Sequence, residues 1–403
     1  MANNLSSNIT RPLAKIFLEA FESSRVVTKT VNTQLLSGKF NPSTGTKVDF
    51  KRPHDYNTIR SAGGDISAAA KSDIIAGKAT GTVQEYFTAA TEWSNIQEAL
   101  ELDQLDQILE PMARRLVTDL ELDLAKFMRI NTGLNYGARG TAVDAWSDVA
   151  GAGAMMDSVG VPMSDNKYYL MNPFTTTSLA SAQSGLNAAD GLVRTAFEKA
   201  QIASNFGGMK ALTSNALSSY TSGSTTDRLG DLKTAPDATY VTAKDTMQQT
   251  MVIETLGTGT IEAGDQIQVA GVNRLNIATR QLILDTTGAA VPWTGTVLSV
   301  VTIAGNEATV VVSGAAIYEA NGQYNNVDAA PAAGAVVTIL GAAATVYQPN
   351  LFYTEQAFGL GTVKLPKLYS TDTVATTSDG MSIRVSKYSD GDANTQKIRF
   401  DLL

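Results

Sequence analysis

Between Pro111 and Ile130 the apolar positions of PMARRLVTDLELDLAKFMRI recur at helical spacing. At about 100° per residue, Met112, Ala113, Leu116, Val117, Leu120, Leu124, Phe127 and Met128 share one arc of roughly 160°. Arg114, Arg115, Asp119, Asp123, Lys126 and Arg129 take the other side, where Leu122 is the one apolar intruder and predicts a contact. Pro111 suits the first helical position, Lys126 and Arg129 suit the negative end of the helix dipole, and Gly133 and Gly137 follow as stop signals. The stretch predicts a strut roughly 30 Å long with nothing catalytic on it.

Residues 10–24 give a second amphipathic helix. Thr10 is its N-cap, Leu13, Ile16, Phe17, Ala20 and Phe21 share one face, and Glu19 and Glu22 lie off it. In TKVDFKRP, Val48 and Phe50 alternate with charged residues, which marks a half-buried strand; a polar excursion through Ser61–Asp65 follows, and Gly81–Glu92 supplies a return strand. A two-stranded ribbon of this kind is marginal in water and calls for a supporting surface. Ser94–Gln97 forms a capping box, and Leu102, Leu105, Ile108 and Leu109 predict a short helix that Pro111 ends. Beyond the strut come a helix around Asp148–Ser158, a strand at Tyr168–Met171 closed by Asn172-Pro173, a helix around Ala189–Ala200 and a turn at Asn205–Gly208. This mixture reads as α+β.

From about Thr226 the texture changes. Ser/Thr/Gly-rich residues 218–227 look like a linker. Short strands then recur between turns, at Thr250–Thr255, Gln266–Val269, Arg280–Leu284, Val297–Ile303, Ala308–Val312 and Val336–Leu340, with turn signals at Glu262–Asp265 and Ala304–Asn306. Evenly spaced strands without helical period predict a small antiparallel barrel or sandwich. At Pro349–Tyr353 the mixed texture returns, so the β block reads as an insertion into a larger domain.

Composition narrows the function. The 403 residues suffice for two or three domains. With no cysteine, disulfides, thiolate zinc sites and thiol nucleophiles are excluded. No apolar run reaches the roughly 18 residues of a membrane span, and MANNLSSNITRPLAK lacks the layout of a signal peptide. A net charge of −8, from 31 basic and 39 acidic side chains, with no basic stripe, argues against a dedicated nucleic-acid binder.

The candidate chemistry is thin. His54 is the only histidine, so a histidine metal cluster is excluded, and no nucleophile elbow accompanies it; it reads as a surface or interface residue. Asp390–Asn394 resembles the start of a calcium loop with Asp401 at the twelfth position, but Thr395 stands where glycine is needed and a tight turn is the simpler reading. Asn205–Lys210 lacks P-loop spacing and reads as a turn into a strand. Asp103, Asp106, Glu110, Glu121 and Asp123 lie among Arg and Lys at helical positions and read as a solvated or salt-bridged face. No catalytic residue, cofactor site or metal site is expected.

Several stretches together resemble one family: TVNTQLLSGKFNPSTGTKVDFKRPHDY (31–57), DISAAAKSDIIAGKATG (65–81), LEPMARRLVTDLELDLAKFM (109–128), GLNAADGLVRTAFEKAQIASNFGGMKAL (185–212), QPNLFYTEQAFGLGTVKLPKL (348–368) and SIRVSKYSDGDANTQKIRFDLL (382–403). They are similar to the major capsid (coat) proteins of short-tailed double-stranded DNA phages of Salmonella and Shigella, most closely the Shigella-phage members. The resemblance is weaker across the β block, where EAGDQIQVAGV (262–272) is the best match. Related chains run on past FDLL, which implies a C-terminus beyond Leu403.

The resemblance implies the Hong Kong 97-type capsid fold, α+β, with an inserted β-barrel I-domain. Residues 1–40 map to the N-arm, 41–92 to the extended loop, or E-loop, and 93–164 to the peripheral domain with spine helix 111–130. The axial domain maps to 165–225 and 347–403, and the I-domain to 226–346. It implies pentamers and hexamers of an icosahedral procapsid, assembled in the host cytoplasm with a scaffolding protein and with a portal at one vertex. The shell would expand on packaging and enclose dsDNA without sequence-specific binding or membrane contact. The E-loop would lie on a neighbouring subunit. Candidate inter-subunit contacts are then Glu19, Glu22, Lys51, Arg52 and His54. In the Leu232–Met247 region, Asp237, Lys244 and Asp245 are candidates for a charged contact at a two-fold axis. The rival readings are an attachment protein with a carbohydrate-binding β domain, which predicts clustered exposed aromatics among Trp293, Tyr318 and Tyr324, and an enzyme, which the motif search disfavours.

Overall fold

The computed structural model describes residues 6–35, 45–94, 105–184, 199, 202–369, 372–378 and 380–403. The capping box at 94–97 and the helix around 189–200 lie largely outside these. The chain divides into two compact units, Met1–Val48 with Gly81–Ala125 and Thr354–Leu403, and Asp49–Thr80 with Lys126–Tyr353.

The first unit is built from distant pieces of chain. Its antiparallel sheet runs in the order Thr373–Thr376, Ser382–Asp390, Thr395–Leu402, Phe87–Ser94. Helix α1 (Ser6–Ser24) and the first part of helix α2 (Leu105–Ile130) share its core: Phe17, Phe21, Leu109, Ala113, Leu116 and Val117 are buried with Ile383, Val385, Ile398 and Phe400. Phe17 stacks on Phe400 with centroids 3.8 Å apart and planes 6° apart. The expected return strand of the hairpin is thus two elements. Lys78–Thr82 pairs with Lys47–Lys51, whereas Phe87–Ser94 pairs residue for residue with the C-terminal strand, Leu402 opposite Phe87 and Thr395 opposite Ser94. Residues 354–403 group with α1 in this unit.

Helix α2 corrects two expectations. It passes through Pro111, its seventh residue, and does not start there. An interior proline costs about 3 kcal/mol, and burial of Leu109 and Ala113 on either side offsets it. Phe127, assigned to the buried arc, is 54% exposed, whereas Met128 beside it on the same arc is buried. Leu122 is half-buried, as its position among polar residues suggested. Glu121 is no solvated carboxylate. It is buried and accepts hydrogen bonds from the Val26 N–H and from the Thr28 N–H and hydroxyl, the latter two at 3.4 Å.

The turn at Asp390–Asn394 joins two strands of this sheet. The Asp390 carboxylate accepts the N–H groups of Asp392 and Ala393 at 3.1 and 3.3 Å, and Asn394 takes the left-handed conformation. Asp401 is fully buried: Arg384 reaches its Oδ2 from Nε (3.2 Å) and Nη2 (2.6 Å), while Arg399 Nε (2.6 Å) and the Thr88 hydroxyl (2.7 Å) reach Oδ1. Burial pushes this carboxyl up, but the hydrogen bonds from Arg384, Arg399 and Thr88 outweigh it and hold it below the ordinary carboxylate value. These contacts replace the calcium reading.

In the second unit, strands Leu351–Thr354, Lys167–Met171, Met209–Thr213 and Asn205–Phe206 form a mixed sheet beside helices α3 (Trp146–Val159) and α4 (Pro173–Ser184). The Asn172-Pro173 pair that closes the Lys167–Met171 strand also opens α4. The Asn172 side chain accepts the Thr175 N–H at 2.8 Å, an N-cap followed by proline at the first helical position.

The inserted block is a closed six-stranded antiparallel barrel in the order Gln248–Glu254, Ala308–Ser313, Pro292–Val297, Gln266–Asn273, Val336–Ile339, Leu229–Leu232. Alternate residues fill it: Met251 and Ile253, Val310 and Val312, Ile267 and Val269, Val337 and Ile339, around a fully buried Trp293. Trp293 donates to the Gly314 carbonyl at 2.9 Å, and a Cβ at Gly295 would lie 2.6 Å from its ring, so glycine is required there. Arg280–Leu284 is not a strand; only isolated bridges pair this segment. Val297–Ile303 straddles the end of one strand and a short second one, Val301–Thr302. The chain enters and leaves the barrel side by side, Tyr220–Thr221 pairing with Val346–Tyr347. Arg129 lies 4.5 Å and Arg139 5.4 Å over the Tyr220 ring, and burial lowers Arg139 to about 10.

Candidate assembly site

The eight residues singled out from the sequence fall into two groups. Glu19 and Glu22 sit on α1 in the first unit. Glu19 is exposed and pairs with Lys15 at 3.9 Å, whereas Glu22 accepts the Ser378 N–H at 2.8 Å and so ties the helix to its own sheet. The other six lie in the second unit, on the hairpin and on the barrel loop 237–247.

The structure brings three of these six together. The hairpin strands run Lys47–Lys51 and Lys78–Thr82. Just beyond them the Arg52 N–H donates to the Gly77 carbonyl at 2.9 Å, and Arg52 Nε to the Lys78 carbonyl at 3.1 Å. Across from Gly77 lies a short helical turn, Tyr240–Ala243, opened by Asp237, whose carboxylate accepts the Thr239 N–H (2.9 Å) and the Thr239 and Thr242 hydroxyls (2.7 and 2.6 Å). These bonds, that from Thr242 first, hold the Asp237 carboxyl below its ordinary value. The turn ends at Lys244 and Asp245, which pair at 2.6 Å, and the free oxygen of Asp245 accepts the Lys78 N–H at 3.3 Å. Hydrogen bonding to Lys244, before any other influence, likewise lowers Asp245.

Gly77 makes this approach possible. A Cβ there would lie 2.9 Å from the Lys244 carbonyl and from the Tyr240 hydroxyl, closer than non-bonded heavy atoms tolerate. Lys51 and His54 are exposed on the hairpin beside this junction, and Asp237 is occupied by its own turn. Asp245 is the one candidate that binds both elements.

Sequence reasoning missed the aromatic part of the junction. Tyr240 and Tyr324 stack with centroids 3.7 Å apart and planes 12° apart, and Ile75 of the hairpin packs on them. The two tyrosines are far apart in sequence, and no local signal joins them. The same contacts remove the basis for a glycan-binding platform: Trp293 is fully buried, Tyr324 is stacked, and of the three aromatics proposed only Tyr318 is exposed.

Comparison with known proteins gives the following. The profile of the P22 coat protein family, gene protein 5, matches residues 1–403. A major capsid protein of Acyrthosiphon pisum secondary endosymbiont phage 1 is 47% identical over 408 aligned positions, which cover 100% of this chain and 96% of that one. Similar solved structures include that of Mycobacterium phage Che8 (TM-score 0.36, 16% identity, 72% of this chain and 86% of that one). The capsid of cyanophage P-SCSP1u is another (TM-score 0.35, 16% identity, 72% and 84%).

Proposed function

This chain belongs to the P22 coat protein family and is a phage major capsid protein, and we propose from that premise that its copies close, as pentamers and hexamers, into an icosahedral procapsid. On this reading assembly takes place in the host cytoplasm around a scaffolding protein, leaves one vertex to a portal, and is followed by expansion as dsDNA is packaged. The subunit works by shape and contact, without turnover. The observation that carries the proposal is the family match over every residue of the chain.

Three features support it. The hairpin extends an exposed segment, Arg60–Ala68, that the described part of the chain does not cover. The barrel presents a charged loop holding Asp237, Lys244 and Asp245, suited to a reciprocal contact across a two-fold axis. The surplus of acidic residues suits an inner wall that does not bind the genome tightly.

Negative-stain microscopy with sedimentation, on the protein alone and with its scaffolding protein, tests the reading. Closed shells of uniform size with scaffold, and few or irregular ones without it, are expected. A stable monomer under both conditions would overturn it.

A further inference from the structure

Residues 52–78 do not stand away from the barrel. At the junction described above, the Tyr324 hydroxyl lies 3.4 Å from both the Ile75 carbonyl and the Asp55 N–H. Farther out, Gln323 Nε2 donates to the Asp73 carbonyl at 2.6 Å, and Asn57 Nδ2 donates to the Asn321 carbonyl at 2.7 Å. Arg280 pairs with Asp55 and also donates to the Asn325 carbonyl at 2.7 Å. With Asp245 on the Lys78 N–H, both arms of the ribbon are held.

Most of the hairpin's bonding groups here are main-chain ones: the carbonyls of Asp73 and Ile75 and the N–H groups of Asp55 and Lys78. A surface that grips main chain fixes the path of a segment while leaving its side chains free. Ile75 faces the barrel, its neighbour Ile74 points away and is 78% exposed, and beyond the grip Ile66 is 42% exposed.

We propose that the barrel loops 237–247 and 317–325 form an intramolecular cradle that sets the hairpin's path before copies of the chain meet, so that the barrel controls shell geometry through the hairpin. This rests on the reading of the hairpin as an inter-subunit element. It supplies the surface that an isolated ribbon lacks, and it supplies it from the same chain.

Hydrogen exchange on the unassembled full chain tests the cradle, and scaffold-directed assembly tests its consequence. Two variants are compared with the unmodified protein: Tyr324→Ala, and the double variant Asp55→Ala/Asn57→Ala, which alters no barrel side chain. Exchange at the amides of residues 55–57 and 76–78 should rise about tenfold or more, with the barrel strands unchanged, and shells should form with a broadened range of diameters. If the double variant leaves exchange over 52–78 unchanged, there is no cradle. If exchange rises while shells keep one size, the cradle does not govern geometry. Failure of the unmodified protein to close shells would instead remove the capsid-assembly reading, with the exchange result still judging the cradle.

Discussion

The barrel and the sheet of the first unit are both antiparallel, and they are put together in opposite ways. Every barrel strand comes from 229–339, and its core residues close on one another within that stretch. The sheet draws strands from 87–94 and 373–402, and its core adds helices from 6–24 and 105–125. One is a local object carried by a short neck. The other exists only when distant parts of the chain have met. Contact order separates the two, and the slower, more vulnerable element should be the second.

The largest effect should come from cutting the long-range core. Phe400→Ala removes the ring stacked on Phe17 and should destabilise the first unit by about 3–5 kcal/mol, seen as lost exchange protection over 382–402 with the barrel strands still protected. As the converse, residues 223–345 expressed alone should give a cooperative melt; a molten fragment would erase the contrast.

Next comes the buried Arg384–Asp401 pair. Removing one partner of such a pair costs about 3–5 kcal/mol, so Asp401→Asn should lower stability in neutral urea titrations. Because the folded carboxyl sits below its ordinary value, its contribution is full above the usual carboxylate range and is lost as pH falls through the lowered value. The gap between native protein and Asp401→Asn should therefore close in acid, and a gap that stays constant to about pH 2 would show that Asp401 does not titrate this way.

A smaller loss, about 1–3 kcal/mol, is expected for Glu121→Gln, which weakens the acceptor for the Val26 and Thr28 groups. It should appear as faster exchange of the 26–30 amides and leave the barrel untouched.

What the sequence reveals follows the same division. The barrel could be read from it because alternation and turn chemistry are local: Gln248–Glu254 and Ala308–Ser313 show it directly. The strut could be read because helical periodicity is local as well. Pairing of Phe87–Ser94 with Thr395–Leu402 has no local signature, so 81–92 read as one return strand when it holds parts of two. Pro111 misled for a related reason, since it is punctuation whose meaning depends on what packs around it. At the candidate site the charged residues of loop 237–247 were legible. The partners of the hairpin, Tyr240, Tyr324, Gln323 and Arg280, were not, because they converge only once the barrel has closed.

The C-terminal strand also sets a clock on the ribosome. Val336–Ile339, the last barrel strand, is synthesised about 60 residues before Leu402, so the barrel can be complete while the chain is still attached. The first unit has to wait longer, because Phe400 and Leu402 belong to its core. At roughly 5–20 residues per second that leaves an interval of several seconds in which each nascent subunit has a finished barrel and an unfinished body. A chain broken off before Phe400 would therefore carry every strand of the barrel but lack the residues that complete the core of the first unit.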